Sequence, residues 1–272
     1  MAAKRSRAKN PERRMSLGEH LVELRKRLFR AALGIVAGAI GGWLLYPWIW
    51  DALQKPVVDV AAARGADQEQ LAAVALNYTS ITGAFDIHLQ ISITAGLVLS
   101  SPIWLYQVFA FLVPGLKGRE KRYLFGFFFS AVPLFLIGCV TGWLMLPHIV
   151  SFMAGFVPEG STSFYDTKYY LDFVLKLVLA TGIAFVLPVF LVLLNFVGVL
   201  QARSILKGWR WAVLVITVFA AMATPAADAV SMVLLAIPMV ALYFAAVGVS
   251  FWHDRAVARR QDGFDASIAA EA

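Results

Sequence analysis

Six long stretches of the sequence contain no Asp, Glu, Lys or Arg. They cover residues 31–50, 87–116, 123–158, 177–202, 211–227 and 229–253, with lengths of 20, 30, 36, 26, 17 and 25 residues. A helix on the surface of a soluble domain carries polar side chains along one face, and these stretches do not. A hydrocarbon core needs about 20 apolar residues per helical crossing, with about 17 as the lower limit. The pattern therefore predicts an all-α, polytopic membrane protein with six transmembrane helices.

The runs predict where the spans lie. They are expected near 30–50, 81–114, 123–147, 169–199, 210–225 and 229–252. At about 1.5 Å per residue the second and fourth spans exceed a bilayer and should tilt, bend or project, whereas the fifth is barely long enough. A β-barrel is excluded because the runs lack an apolar/polar alternation of period two.

Prolines stand at or near the middle of four long spans, at positions 102, 133, 188 and 238. Each removes one backbone hydrogen bond and tends to kink its helix. Four bent helices favour a curved wall over a straight bundle. Packing irregularity without a function is the alternative explanation.

The distribution of Lys and Arg predicts the orientation. Ten lie before the first span, four between spans two and three, three between spans four and five and three in the C-terminal tail, whereas the opposite side holds Lys55, Arg64 and Lys168. The positive-inside rule then places both termini in the cytoplasm of a cell-membrane protein. This topology explains the net charge of +7 better than nucleic-acid binding does.

Composition and motifs narrow the chemistry. With 60% apolar residues, 15% charged residues and one cysteine, Cys139, the chain is neither a soluble enzyme nor a disulfide scaffold. No metalloprotease, nucleophile-elbow or phosphate-loop motif occurs, and the four histidines lack metal-ligand spacing. We therefore expect no enzymatic activity, no cofactor and no metal. A small-solute transporter and a membrane-embedded enzyme stay open on these grounds alone, although neither midplane ion pairs nor matching broken helices are clear.

Residues 16–28 (SLGEHLVELRKRL) predict an interfacial helix that leads into the first span. Ser16 and Glu19 have the spacing of a capping box. Leucines 17, 21, 24 and 28 fall on one stripe, and Glu23 and Arg27 form a plausible i, i+4 pair worth about 0.2–0.5 kcal/mol on the far side. A basic amphipathic anchor with its charges in solvent is the plain physical reading of this segment.

Polar residues inside or beside the spans form a second set of candidates. They are Asp86, His88, Gln107, Asp172, Lys176, Asn195, Thr224 and Asp228. Ionisable groups at membrane depth are costly and are functional candidates by default. However, Asp172 and Lys176 have i, i+4 spacing and can neutralise each other, and the aspartates near span ends can reach water. His88 is either a proton-relay group or a hydrogen-bonded interior histidine.

Four segments resemble the TatC family, the multispanning receptor of twin-arginine protein translocation. They are residues 16–28, residues 101–115 (SPIWLYQVFAFLVPG) with 119–122 (REKR), residues 223–228 (ATPAAD) and residues 234–239 (LLAIPM). The match runs in order from about Ser16 to Asp254. It implies a curved, glove-like membrane domain over 15–253, with a basic cytoplasmic tail at 1–14 and a cytoplasmic C-terminal tail at 254–272.

The resemblance also implies the activity. TatC proteins bind twin-arginine signal peptides and, with TatA- and TatB-type single-span partners, move folded proteins across the membrane using the proton-motive force. The carboxylates of the family's signal-peptide site fall on Glu23 and Glu120, and Leu24, Arg25, Phe111 and Arg122 match neighbouring motif positions. Self-association in a receptor complex and contact with membrane lipid are further expectations.

Three positions outside that site complete the expectations. Members of the family often carry an acidic or amide residue two positions before the proline of span four, and here that position is Val186. We therefore expect no intramembrane acid there. Because the fifth span is short, local bilayer thinning or a partner helix is expected to relieve the mismatch, and Met222 and Thr224 are the candidate docking residues for a TatB-type helix.

Overall fold

The structure, a computed structural model, describes residues 17–63, 81–112, 121–156, 167–224 and 229–271. These residues form eight helices. They are α1 (Leu17–Ala63), α2 (Gly83–Leu99), α3 (Ser101–Leu112), α4 (Lys121–Ala154), α5 (Thr167–Phe196), α6 (Ala202–Lys207), α7 (Trp209–Ala223) and α8 (Ala229–Glu271).

The prediction of an all-α protein with several membrane spans is confirmed. Helices α1, α4, α5 and α8 are each long and apolar enough to cross a membrane, and α2 with α3 makes a fifth crossing if the pair counts as one bent span. Helix α7 is apolar but has only 15 residues, in line with the short fifth run of the sequence.

Three helices are longer than the spans predicted for them. Helix α1 has 47 residues, or about 70 Å at 1.5 Å per residue, so the predicted interfacial helix and the first span are one continuous helix. Helix α4 continues past residue 147 to Ala154, and α8 continues to Glu271 through the segment expected to be a separate tail. An uncharged run marks hydrocarbon depth, whereas a helix ends only where its backbone hydrogen bonding ends.

The second span is broken between α2 and α3, where the helix axis turns by 59°. Pro102 follows the break and has no N–H to donate. The indole Nε1 of Trp104 donates to the carbonyl of Leu97 at 2.8 Å, and Ser100 N–H donates to the Gly96 carbonyl at 2.9 Å. Pro102 thus accompanies a break as expected, whereas Pro133, Pro188 and Pro238 lie inside unbroken helices.

Glycines allow two helix pairs to pack closely. A Cβ placed on Gly96 of α2 would lie 2.4 Å from the backbone nitrogen of Ala39 in α1, so only hydrogen fits there. In the pair α4–α5, the Thr181 hydroxyl donates to the Gly138 carbonyl at 2.9 Å. Small residues and interhelical hydrogen bonds are the usual means of packing membrane helices. These contacts fix α1 against α2. Helix α3, which follows α2, packs against the first half of α1, where Ile103 lies beside Gly34 and Phe111 beside His20.

Candidate functional site

In the first helical turns of α1, a stripe of polar residues faces the neighbouring helices. His20, Glu23 and Arg27 are partly buried, and Ala31 and Gly34 continue the same face as buried residues. The leucines face outward instead, with Leu21, Leu24 and Leu28 exposed by 64%, 39% and 65%. In a soluble protein the apolar face of an amphipathic helix points inward. In a membrane the arrangement is reversed, because leucine side chains are stable in lipid and polar side chains need partners inside the helix bundle. The reading of this helix as an anchor with its charges in solvent therefore does not hold for Glu23 and Arg27.

Glu23 uses only half of its carboxylate within the described chain. The predicted i, i+4 pair is confirmed, since Arg27 Nε donates to Glu23 Oε1 at 2.9 Å and the two side chains are 20% and 21% exposed. The other oxygen, Oε2, is buried and accepts no hydrogen bond from the residues that the structure describes. The bond from Arg27 holds the carboxylate in place and leaves this second oxygen open to a donor.

Helix α3 brings two more groups to the same end of the bundle. The ring of Phe111 stacks on His20, with centroids 4.4 Å apart and planes inclined by 14°. One turn deeper on α3, the Gln107 side-chain oxygen is buried and has no partner among the described residues. The two helices run antiparallel here, since Phe111 lies beside His20 and Ile103 beside Gly34, so Gln107 faces the stretch of α1 between those two residues, which includes Glu23. We call this group of four residues the Glu23 site.

The Glu23 site suits a ligand with several hydrogen-bond donors and a positive charge. A buried acceptor without a partner costs about 1–3 kcal/mol, and the site holds two such oxygens, on Glu23 and Gln107. One of them belongs to a carboxylate whose only described cationic partner is Arg27. A guanidinium group presents five N–H donors in a plane and carries the positive charge that such a carboxylate favours.

The structure brings together part of the predicted site. Glu23 and Phe111 lie at the same end of the α1–α3 pair, whereas Leu24 and Arg25 point outward from α1. Arg122 belongs to the first turn of α4, and Glu120 lies outside the described residues. His20 and Gln107 are the additions. The sequence carried a signal for both, because His20 lies three residues before Glu23 and Gln107 is a polar residue within a span.

The other intramembrane polar residues serve mainly to link helices. Asp172 of α5 accepts a hydrogen bond from Gln90 of α2 and lies 3.7 Å from Lys176, which confirms the expected i, i+4 neutralisation. The His88 ring lies between Trp43 and Tyr46 of α1, with centroid distances of 3.8 and 3.7 Å. These groups join α1, α2 and α5 at the opposite end of the bundle from the Glu23 site.

The two positions proposed for partner docking differ in exposure. Met222 is 82% exposed, whereas Thr224 is 5% exposed and its hydroxyl donates to the Ala220 carbonyl of its own helix at 3.0 Å. An exposed apolar stripe on α7 leads up to Met222 and consists of Trp211, Leu214, Val215 and Val218. Val186 of α5 is 2% exposed within an apolar cluster.

The described part of the chain therefore defines a multi-spanning α-helical membrane protein with a buried acceptor site between two helix ends. The sequence model of the family described as "Sec-independent protein translocase protein (TatC)" matches residues 19–238. The chain is 48% identical over 248 residues to the Sec-independent protein translocase protein TatC of Xylanimonas cellulosilytica, covering 91% of this chain and 88% of that protein. It is 33% identical over 233 residues to the chloroplastic TatC protein of Arabidopsis thaliana, covering 85% and 65% respectively.

Solved structures agree with these relatives. A crystal structure of the twin-arginine translocase receptor TatC in DDM superposes with a TM-score of 0.70 at 28% identity, covering 85% of this chain and 99% of that one. The chain belongs to the TatC family of Sec-independent protein translocases. It is a membrane component of protein transport and not an enzyme.

Proposed function

We propose that this protein is the receptor and core component of a twin-arginine translocation system. It binds the twin-arginine signal peptides of folded proteins and, with TatA- and TatB-type partners, transports the cargo across the cell membrane using the proton-motive force. The observation that carries the proposal is that Glu23 Oε2 and the Gln107 side-chain oxygen, on the facing helices α1 and α3, are both buried and have no hydrogen-bond partner among the residues that the structure describes. The solved relative that carries the name of twin-arginine translocase receptor supports the same role.

Recognition follows from the chemistry of the two arginines. One guanidinium donates to Glu23 Oε2 and the Gln107 oxygen, while Arg27 keeps the carboxylate in position through Oε1. Charge-assisted hydrogen bonds of this kind are about twice as strong as neutral ones. Glu120 supplies the second carboxylate, and the stacked rings of His20 and Phe111 border the site. A lysine at the same peptide position offers a single point charge and matches the two oxygens less well.

Neighbouring cations sharpen the selection. Arg25 and Lys26 are exposed beside the Glu23 site, and Arg122 follows Glu120 by two residues. These charges repel a basic peptide unless its arginines reach the two carboxylates. Specificity then comes from repulsion of poorly placed charges as well as from attraction of well-placed ones.

The proposed topology has six spans in a curved arrangement, with both termini in the cytoplasm. It rests on the bias of Lys and Arg in the sequence and places the Glu23 site at the cytoplasmic surface, where signal peptides arrive. Helix α7 serves as the fifth span. Its 15 residues extend about 22 Å, less than a hydrocarbon core of about 30 Å, and a TatB-type helix docks near Met222 and Thr224 at its end.

Peptide binding to the purified protein tests the proposal. Glu23→Gln and Glu120→Gln keep the side-chain shape and remove the charge, and each should weaken binding of a twin-arginine peptide by about 2–5 kcal/mol, or roughly thirty-fold or more. Glu23→Lys and Glu120→Lys should abolish export of a twin-arginine reporter while leaving membrane insertion intact. The readouts are fluorescence-detected binding and reporter export.

A matched control uses Glu19→Gln, which alters an exposed carboxylate one turn earlier on α1 and should leave binding within about two-fold, as expected for a surface substitution. A peptide with Lys-Lys in place of Arg-Arg should bind the unaltered protein weakly. A peptide with acidic residues in place of the arginines should regain part of its affinity for the Glu→Lys variants if the contact is direct. Normal export by the Glu23→Ala, Glu120→Ala double variant would remove both residues from the recognition site.

A further inference from the structure

Helix α3 leaves α2 at an angle of 59°, and this angle decides where the side chains of α3 lie. From Ser101 to Gln107 the helix rises about 9 Å at 1.5 Å per residue. A change of about 10° at the break would move Gln107 by about 1.6 Å over that length. Such a displacement breaks a hydrogen bond, because N–H···O distances fall between about 2.7 and 3.2 Å. The Glu23 site therefore needs a fixed angle at the break.

The chain at the break holds this angle only weakly by itself. The last four carbonyl groups of a helix lack partners within it, and Pro102, the second residue of α3, has no N–H to donate. The side chains of Ser100 and Ser101 are buried at the break. Neither hydroxyl has a hydrogen-bond partner among the residues that the structure describes. The two serines therefore add no described hydrogen bond that would join α2 to α3.

Trp104 spans the break from the first turn of α3. Its indole Nε1 donates to the carbonyl of Leu97, in the last turn of α2, at 2.8 Å. The indole ring also meets the ring of Phe135 of α4 edge to face, with centroids 5.3 Å apart and planes inclined by 88°. Phe135 is fully buried, so this contact is anchored in the core. The indole thus joins the start of α3 to both α2 and α4.

The groups of α3 that belong to the Glu23 site lie far from the break. Ile103, which packs beside Gly34 of α1, is close to the break and would shift little if the angle changed. Phe111 is about 15 Å from the start of α3, and a change of about 10° would move it by about 2.6 Å. Its ring would then leave the His20 ring, whose centroid is 4.4 Å away. A small change at Trp104 is therefore largest at the site.

We propose that Trp104 is a positioning residue for signal-peptide recognition. Its hydrogen bond to the Leu97 carbonyl sets the angle between α2 and α3, and this angle holds Gln107 and Phe111 against the first turns of α1, where Glu23 lies. The inference rests on the proposed function, because it concerns the same site. The angle itself can nevertheless be measured without any peptide.

Distances between spin labels test the angle in the protein without peptide. Labels on cysteines that replace Leu21 of α1 and Val108 of α3, both exposed, report how the far half of α3 lies against α1. Trp104→Phe removes the indole N–H and keeps an aromatic ring, and it should shift or broaden this distance by about 2 Å. The control pair joins Val36 of α1 to Ile93 of α2, both exposed, and its distance should stay the same.

Peptide discrimination tests the consequence for recognition. In Trp104→Phe the preference for an Arg-Arg peptide over a Lys-Lys peptide should fall by about five-fold or more, as expected when one hydrogen bond to the peptide is lost. A general loss of folded protein would lower both bindings equally and leave the ratio unchanged. Trp252→Phe, the same substitution at a 73% exposed position of α8, should keep the ratio within about two-fold.

Two tryptophan analogues at position 104 separate the hydrogen bond from the shape of the ring. Benzothienylalanine has sulfur in place of the N–H and should lower the ratio as Trp104→Phe does. Fluorotryptophan substituted on carbon 5 keeps the N–H and should restore both the ratio and the label distance. Restoration by benzothienylalanine as well would show that ring volume, and not the hydrogen bond, sets the angle.

Two further results would overturn the positioning role. An unchanged label distance in Trp104→Phe would show that the bond does not set the angle. A changed distance with an unchanged Arg-Arg preference would show that the angle does not govern recognition. If the unaltered protein itself shows no preference for Arg-Arg, the proposed function fails and this role fails with it, a result distinct from both.

Discussion

Asp254 of α8 shows how one side chain can join distant parts of this chain. Its carboxylate accepts hydrogen bonds from the Asn195 amide and from the backbone N–H of Ala202, each at 2.9 Å. Ala202 is the first residue of α6, and the preceding residue, Gln201, makes no capping hydrogen bond with its side chain. The first N–H groups of a helix need such a partner. Here a carboxylate 52 residues away supplies it.

Removing this carboxylate should destabilise the fold. Asp254→Ala leaves the Ala202 N–H and one bond of the Asn195 amide without a partner, and each buried loss of this kind costs about 1–3 kcal/mol. We expect a lower free energy of unfolding, measured by denaturant titration in detergent. Asp262→Ala, at an exposed position on the same helix, should change it by less than about 0.5 kcal/mol. Equal losses in the two variants would contradict the capping role.

At this scale the sequence predicted partners that are close in the chain and missed those that are distant. The Glu23–Arg27 and Asp172–Lys176 pairs follow from i, i+4 spacing. The link from Asn195 to Asp254 crosses 59 residues, and no periodicity reports such a distance. The helical period also does not decide whether the leucine stripe or the polar stripe of α1 faces the other helices. That Glu23 faces inward is therefore known only from the structure.

At the scale of elements, charge patterning located the helices better than it delimited them. Every predicted span corresponds to a described helix or to the α2–α3 pair, but α1 and α8 extend well into polar sequence. Proline position alone did not predict breaks, because Pro188 lies inside an unbroken helix and Pro102 beside a 59° bend. At the bend, the Trp104 indole donates a hydrogen bond to the Leu97 backbone carbonyl. The positions of the prolines in the sequence do not predict such a contact.

The close contact of α1 and α2 should depend on glycine at position 96. In Gly96→Ala the new Cβ would meet backbone atoms of Ala39 at 2.4 and 2.6 Å, and backbone cannot rotate away. Overpacking costs about 1–3 kcal/mol, so thermal unfolding in detergent should occur at lower temperature. Gly248→Ala, with nothing within 4 Å of the new methyl group, should leave stability unchanged or raise it by up to about 1 kcal/mol. Unaltered stability of Gly96→Ala would contradict this packing.

The exposed stripe of α7 should mark the docking surface of a partner. A photo-reactive residue in place of Met222 or Val218 is expected to crosslink to a single-span TatB-type protein in intact membranes. A probe at Leu144, a 60% exposed residue of α4, serves as the control and should capture lipid. Probes on α7 that never reach a single-span protein would argue against docking there.

At the scale of the whole molecule, the distribution of Lys and Arg makes a prediction about both membrane faces. Single cysteines in place of Arg5 and Arg259 should react with an impermeant reagent only from the cytoplasm, and one in place of Arg64 only from outside. The natural Cys139 is buried, so it contributes little background. Labels at positions 5 and 259 that report opposite sides would disprove an even number of spans.

The length of α1 gives the molecule a mechanical property. Glu23 and Trp43 are 20 positions apart in one unbroken helix, a distance of about 30 Å at 1.5 Å per residue. Trp43 and Tyr46 enclose the ring of His88 on α2. Because the helix is continuous between these points, we expect a tilt of α1 imposed at Glu23 to displace the aromatic cluster around His88 as well. Such a lever would link the two ends of the bundle mechanically.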